Sequence, residues 1–144
     1  MAVGGGPVNL VLLGRTKGAS MGNSEICELC APDSVLVENE LAYAQPEKNS
    51  LSPGHVVVVP RRHVADYFEM TNLEQIAVME LLNSARAVIQ SRHSPDGYNL
   101  GVNIGSAAGQ SRMHVHVHLI PRYTGDVPNP AGGVRCVLAG NRAA

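Results

Sequence analysis

The sequence predicts an α+β domain built on a mainly antiparallel sheet. Three observations lead there. Five separate segments read as strands, while a single stretch carries a long helical stripe. The last two strand segments also follow one another across a short loop, as antiparallel neighbours do.

The elements follow in order from Ser24. Val35-Leu36-Val37-Glu38 reads as a strand, Asn39-Glu40 as a turn, and Leu41-Ala42-Tyr43-Ala44 as the returning strand. Pro46 to Pro53 is a polar loop. His55-Val56-Val57-Val58-Val59 is a continuous, mostly β-branched run, which suits a strand covered on both faces, and Pro60 ends it. Thr71 with Glu74 forms a capping box that opens the helix. Val78, Leu81, Leu82, Ala85, Val88 and Ile89 then recur at three- and four-residue spacing, and Ser94-Pro95-Asp96-Gly97 stops the helix. Tyr98, Leu100, Val102 and Ile104 alternate with polar or small residues as a half-buried strand. A loop of small residues, Gly105 to Ser111, leads to the last strand, Met113 to Ile120.

With 144 residues, the chain has room for one domain. Residues 1–20 read as a flexible leader, vector-derived or from an upstream start, because Arg15 and Lys17 follow the apolar stretch that a secretory signal would place after its charges. The domain then spans residues 21–125 and an irregular tail residues 126–144. Eleven Lys plus Arg against twelve Asp plus Glu argue against a nucleic-acid binder, and one Phe with four Tyr provide no stacking platform. No apolar run approaches the roughly 18 residues of a membrane span. Three cysteines, an odd number, favour a reducing compartment, which places the protein in the cytoplasm.

Histidine is the unusual feature. There are six, and three stand at alternate positions in Met113-His114-Val115-His116-Val117-His118-Leu119-Ile120. Strand geometry places His114, His116 and His118 on one face and Met113, Val115, Val117 and Leu119 on the other. Two chemistries fit: a catalytic metal held by histidines at i and i+2, or nucleophilic and acid–base work by neutral imidazole. The preceding loop, Gly105-Ser106-Ala107-Ala108-Gly109-Gln110-Ser111, favours the second. Its small residues and donors form a nest for an anion such as phosphate, and no carboxylate lies between Asp96 and Asp126 to suit a metal hydrolase.

At these residues the sequence resembles the histidine triad (HIT) superfamily of nucleotide hydrolases and transferases. The signature is His114-Val115-His116-Val117-His118-Leu119-Ile120, flanked by Ala108-Gly109-Gln110-Ser111 and Pro121-Arg122-Tyr123. Ser52-Pro53-Gly54-His55, Val59-Pro60-Arg61-Arg62-His63 and Cys27-Glu28-Leu29-Cys30 extend the resemblance over about residues 25–125. Pro121-Arg122 and Gly125-Asp126 look more like the diadenosine-polyphosphate hydrolase (fragile histidine triad) branch than the nucleoside phosphoramidase branch. The resemblance implies a five-stranded sheet with one long helix and a short one, and a homodimer joined through the long helix and a strand.

The resemblance also implies roles. His116 is the expected nucleophile, attacking the α-phosphorus of a purine nucleotide such as diadenosine tri- or tetraphosphate to form a nucleotidyl-histidine. His118 and His55 bind or polarise phosphate oxygens. The His114 carbonyl fixes the His116 tautomer, and Gly109, Gln110, Ser111 and Asn103 hold the phosphates. Glu47 stands where the family usually has Asp or Asn bonding the ribose hydroxyls, and its longer side chain still offers acceptors to a diol. A nucleoside phosphoramidase, or a nucleotide-binding module acting through partners, are the alternatives. Cys27 and Cys30 read as a redox pair, two unlinked thiols, or half of a metal site. Some family members complete a zinc site from this pair, and the matching histidines are His63 and His114. A Cys2His2 set of that kind is structural in character. His93 reads as a charge–dipole placement at the helix end.

Overall fold

A computed structural model of the chain describes residues 27–138. The expected leader lies outside the described residues, as do residues 139–144 of the expected tail. Five strands form one sheet: β1 (Val37–Glu38), β2 (Ala42–Pro46), β3 (Val56–Pro60), β4 (Gly97–Val102) and β5 (Val117–Arg122). Their order is β1-β2-β3-β5-β4, and every neighbouring pair is antiparallel. The helix α1 (Asn72–His93) forms the connection between β3 and β4. Among the described residues, the short helical elements beside it are 3-10 helices at Tyr67–Glu69, Ser106–Ala108 and Gly133–Val137.

The continuous valine run of β3 follows from burial on both faces. Val56 and Val58 join Ala42, Ala44, Val117 and Leu119 beneath α1, while Val57 and Val59 pack with Leu29 and Tyr43 on the opposite face. Each fully buried Val or Leu side chain contributes roughly 1.5–3 kcal/mol. The Tyr43 hydroxyl donates to the Leu29 carbonyl and so anchors the segment that carries the cysteines. The β1–β2 hairpin closes through Asn39, whose Oδ1 accepts from the N–H groups of Leu41 and Ala42.

Helix α1 begins as its sequence predicts. Thr71 Oγ1 accepts from the Glu74 N–H, Glu74 Oε2 accepts from the Thr71 N–H, and Arg62 clamps the same carboxylate at 2.7 and 2.8 Å. It ends at Ser94, which takes the left-handed conformation (φ +48°) usually left to glycine. The helix packs over β1, β2, β3 and β5 and leaves the edge strand β4 largely uncovered. Tyr98 and Val102 therefore reach the core, while Leu100, expected inward, stays half exposed.

One expected element is shorter than the sequence suggests. The histidine strand does not start at Met113; β5 begins at Val117, and the chain bends at 112–114. The partner strand explains it. Extending the β3–β5 register, Val58↔Val117, would set Val115 opposite Pro60, which has no N–H to donate. The Val115 N–H turns instead to the Val64 carbonyl at 2.7 Å. His114 and His116 thus sit on the approach to the strand, and only His118 lies within it.

Candidate active site and metal centre

All three triad histidines still share the face away from α1, because Val115, Val117 and Leu119 are drawn into the core beneath the helix. The bend at 112–114 then separates two groups.

The first group is His116, His118 and His55. The rings of His116 and His118 lie 5.0 Å apart, those of His118 and His55 5.2 Å apart. Hydrogen bonds set where each proton sits. His116 Nδ1 donates to the His114 carbonyl at 2.9 Å, leaving Nε2 with a bare lone pair. His55 Nδ1 accepts from the Leu51 N–H at 3.1 Å, so its proton is on Nε2 and is donated to His118 Nδ1 at 3.0 Å. His118 in turn carries its proton on Nε2, as a donor. Burial, chiefly, pushes all three imidazoles below their ordinary value and keeps them neutral at neutral pH.

His55 is held by a loop with little room to move. Gly54 adopts φ +85°, and a Cβ there would come within 2.9 Å of the His93 ring and 3.0 Å of Ile89. His93, expected to act only as a charge at the helix end, therefore packs against the loop that presents His55. Ser52 Oγ and the Tyr123 hydroxyl tie the same loop to β5 and its exit, donating to the Pro121 and Pro53 carbonyls at 2.7 Å each.

The expected sugar and phosphate residues fall into three kinds. Glu47 is buried, and its carboxylate accepts from Arg112 Nη2 at 2.6 Å and from the Asn49 N–H at 3.1 Å. Burial alone would raise its carboxyl; the guanidinium and the amide outweigh it and hold the group ionised, below the usual range. Gln110 is buried with its amide engaged by backbone: Oε1 accepts from the Gly105 N–H, while Nε2 donates to the Ala65 and Arg112 carbonyls. It shapes the loop, and the N–H groups of Ala108, Gly109 and Gln110 also close within that loop. Asn103, Gly109 and Ser111 remain exposed, and the hydroxyl and N–H of Ser111 make no hydrogen bond among the described residues.

The second group is Cys27, Cys30, His63 and His114, with all ligand atoms within 4.8 Å of one another. Sγ of Cys27 and of Cys30 each lie 3.5 Å from His114 Nδ1, and Cys30 Sγ lies 3.2 Å from His63 Nδ1. His114 Nε2 donates to the Pro60 carbonyl at 2.8 Å, so its Nδ1 faces the thiols as a bare acceptor. Two thiols and two imidazole nitrogens converging at these separations fit a tetrahedral zinc ion. The side chain of His114 thus belongs to this quartet, while its carbonyl serves His116.

Arg112 is the polar residue that sequence reasoning missed. Its guanidinium bridges Glu47 and Glu28, and its charge helps to lower the imidazoles of His55, His116 and His118. Its place directly after the Gln110-Ser111 pair was the available signal.

Comparison with known proteins adds an independent line. The HIT domain family model matches residues 28–125. The chain is 37% identical over 105 residues to a Mycobacterium tuberculosis protein named AP-4-A phosphorylase, covering 72% of this chain and 54% of that one. It is 34% identical over 92 residues to the asymmetrical bis(5'-nucleosyl)-tetraphosphatase of Schizosaccharomyces pombe, covering 64% and 50%. The chain therefore spans about half the length of these relatives. A HIT family protein from Bacillus anthracis superposes with a TM-score of 0.65 at 29% identity, over 74% of this chain and 78% of that one.

Proposed function

Because the chain belongs to the HIT domain family, we propose that it cleaves a dinucleoside polyphosphate, such as diadenosine tetraphosphate, at its α-phosphate through a nucleotidyl-histidine on His116. One observation carries this reading: His116 is buried and neutral with Nδ1 tied to the His114 carbonyl, so Nε2 alone is free to attack. In the first step the Nε2–phosphorus bond forms as the bond to the leaving phosphate oxygen breaks. His118, with its proton on Nε2, donates a hydrogen bond to the phosphate oxygens, and His55 holds it in that tautomer. In the second step an acceptor displaces His116 and restores the free imidazole. Water gives a nucleoside monophosphate; inorganic phosphate gives a diphosphate, the outcome that the name of the mycobacterial relative favours.

Cys27, Cys30, His63 and His114 would hold zinc, and a closed set of this kind supplies cross-linking rather than a reactive water. A homodimer completes the reading. It is supported by the position of β4 at the end of the sheet and by the half-exposed apolar side chains Ile76 and Met79 on α1 and Leu100 on β4.

The test is turnover of diadenosine tetraphosphate with and without phosphate, followed by product analysis. The wild-type protein should release AMP or ADP together with ATP, and a rapid alkaline quench, which preserves an acid-labile phosphoramidate, should show a nucleotide linked to the protein. His116→Asn should lower turnover by at least about a thousandfold. Unchanged turnover in that variant would overturn the assignment.

A further inference from the structure

On the triad face, beyond Glu47, lies a cavity of about 230 Å3 lined by Cys27, Glu28, Ala31, Asp33, Gln45 and Lys48. Gln45 is its unusual member. The residue is only 5% exposed, yet its side-chain amide has no hydrogen-bond partner among the described residues. No fully enclosed polar side-chain atom in those residues lacks a partner, so the amide must be reached from the cavity. The N–H2 and carbonyl of Gln45 thus meet the cavity, and a ligand that displaces water there must bring both an acceptor and a donor to keep the amide satisfied.

Position indicates which part of a ligand arrives there. Gln45 pairs with Val57, and Val57 with His118, so the three share one row of the sheet. Two strand spacings, about 10 Å, separate Gln45 from His118. Glu47 and Glu28, both held by Arg112, link the region of the imidazoles to the cavity rim. A nucleotide with its α-phosphate at His116 and its sugar near Glu47 delivers its base to this cavity. No aromatic side chain lines it, so stacking does not hold the base there.

We propose that Gln45 reads the hydrogen-bonding edge of the substrate's base and, with the carboxylate rim, selects guanine over adenine. This rests on the nucleotide reading above. The amide offers one N–H2 and one carbonyl side by side. Guanine presents O6 to the first and N1–H to the second, and its N2–H2 then reaches the rim. There, Lys48 Nζ lies 2.8 Å from Glu28 and 3.7 Å from Asp33, and Arg112 Nη1 lies 3.3 Å from Glu28, so two carboxylates share these cations and keep oxygen lone pairs that can accept from a ligand. Adenine has a single exocyclic N–H2 and ring nitrogens that accept, so it leaves the rim without a second donor.

Equilibrium binding of GMP, IMP and AMP to the full chain tests this, with Gln45→Leu and Glu28→Gln as variants. Wild-type protein should bind GMP at least about tenfold more tightly than AMP. IMP, which keeps O6 and N1–H but lacks N2–H2, should fall between them. Gln45→Leu should bring the GMP-to-AMP ratio near one. Glu28→Gln, on the exposed rim, should narrow the GMP-to-IMP gap even if the core variant folds poorly. Equal wild-type affinity for GMP and AMP, or a ratio unmoved by Gln45→Leu, would overturn the proposal while leaving the nucleotide reading in place. If no nucleotide binds, both fall.

Discussion

At the scale of single residues, the imidazole cluster is organised by what lies opposite each nitrogen. His55 can gain a second proton only by breaking the bond that its Nδ1 accepts from Leu51, and His118 only by breaking the one it accepts from His55. Burial lowers both imidazoles first. For His118 the charges of His55 and Arg112 lower it further while Glu47 raises it, and the balance is still downward. A base with a lowered pKa keeps its neutral form to lower pH. The acid limb of kcat/KM should therefore lie below the ordinary imidazole value of 6.5, with activity retained as pH falls through that value. A limb at or above 6.5 would refute the tautomer chain. Alternation made the triad legible in the sequence, since i, i+2 spacing forces a shared face. Arg112 was not legible as a site residue, because its partner Glu47 is 65 positions away and only the sheet brings them together.

At the scale of elements, legibility depended on whether the determining interaction was local. The start of α1 was readable because the capping box lies within four residues. The start of β5 was not, because it depends on Pro60 at the end of another strand. The same capping box supports a prediction. Thr71→Ala should lower unfolding free energy by about 1 kcal/mol in denaturant titrations at neutral pH. Arg62, and then the Thr71 N–H, hold the Glu74 carboxyl down at about 2, against an ordinary value of 4.5. A depressed carboxyl stabilises the fold fully above its unfolded value, and that contribution is lost as pH falls towards 2. Denaturant titrations from pH 6 to pH 3 should therefore show a smaller loss of stability for Glu74→Gln than for the wild type. Parallel curves would mean that the Arg62–Glu74 clamp contributes nothing to folding.

At the scale of the whole molecule, two features join parts of the chain that the sheet alone leaves loose. The quartet ties Cys27 and Cys30 to His63 beyond β3 and to His114 before β5. Freshly purified, reduced protein should carry about one zinc per chain. Chelation should lower its melting temperature, while the protein that remains folded still turns over substrate; activity lost with the fold intact would instead place the metal in the reaction. The second feature is the uncovered side of the sheet. Helix α1 lies over β1, β2, β3 and β5, and at its far end Gln90 accepts from the Tyr98 hydroxyl of β4 at 2.9 Å. Seven, then four, then three residues back from Gln90 stand Asn83, Met79 and Ile76, on one stripe of the helix. The half-exposed Ile76 and Met79 of α1, and Leu100 on the edge strand β4, are apolar side chains that a second copy can cover about a two-fold axis. Light scattering should then give twice the chain mass of 15.2 kDa. Met79→Glu, on the exposed stripe and away from the imidazoles, should shift the protein to monomer by setting two like charges against each other near the axis. A monomeric wild type would remove the dimer, and a variant that stays dimeric would place the interface elsewhere.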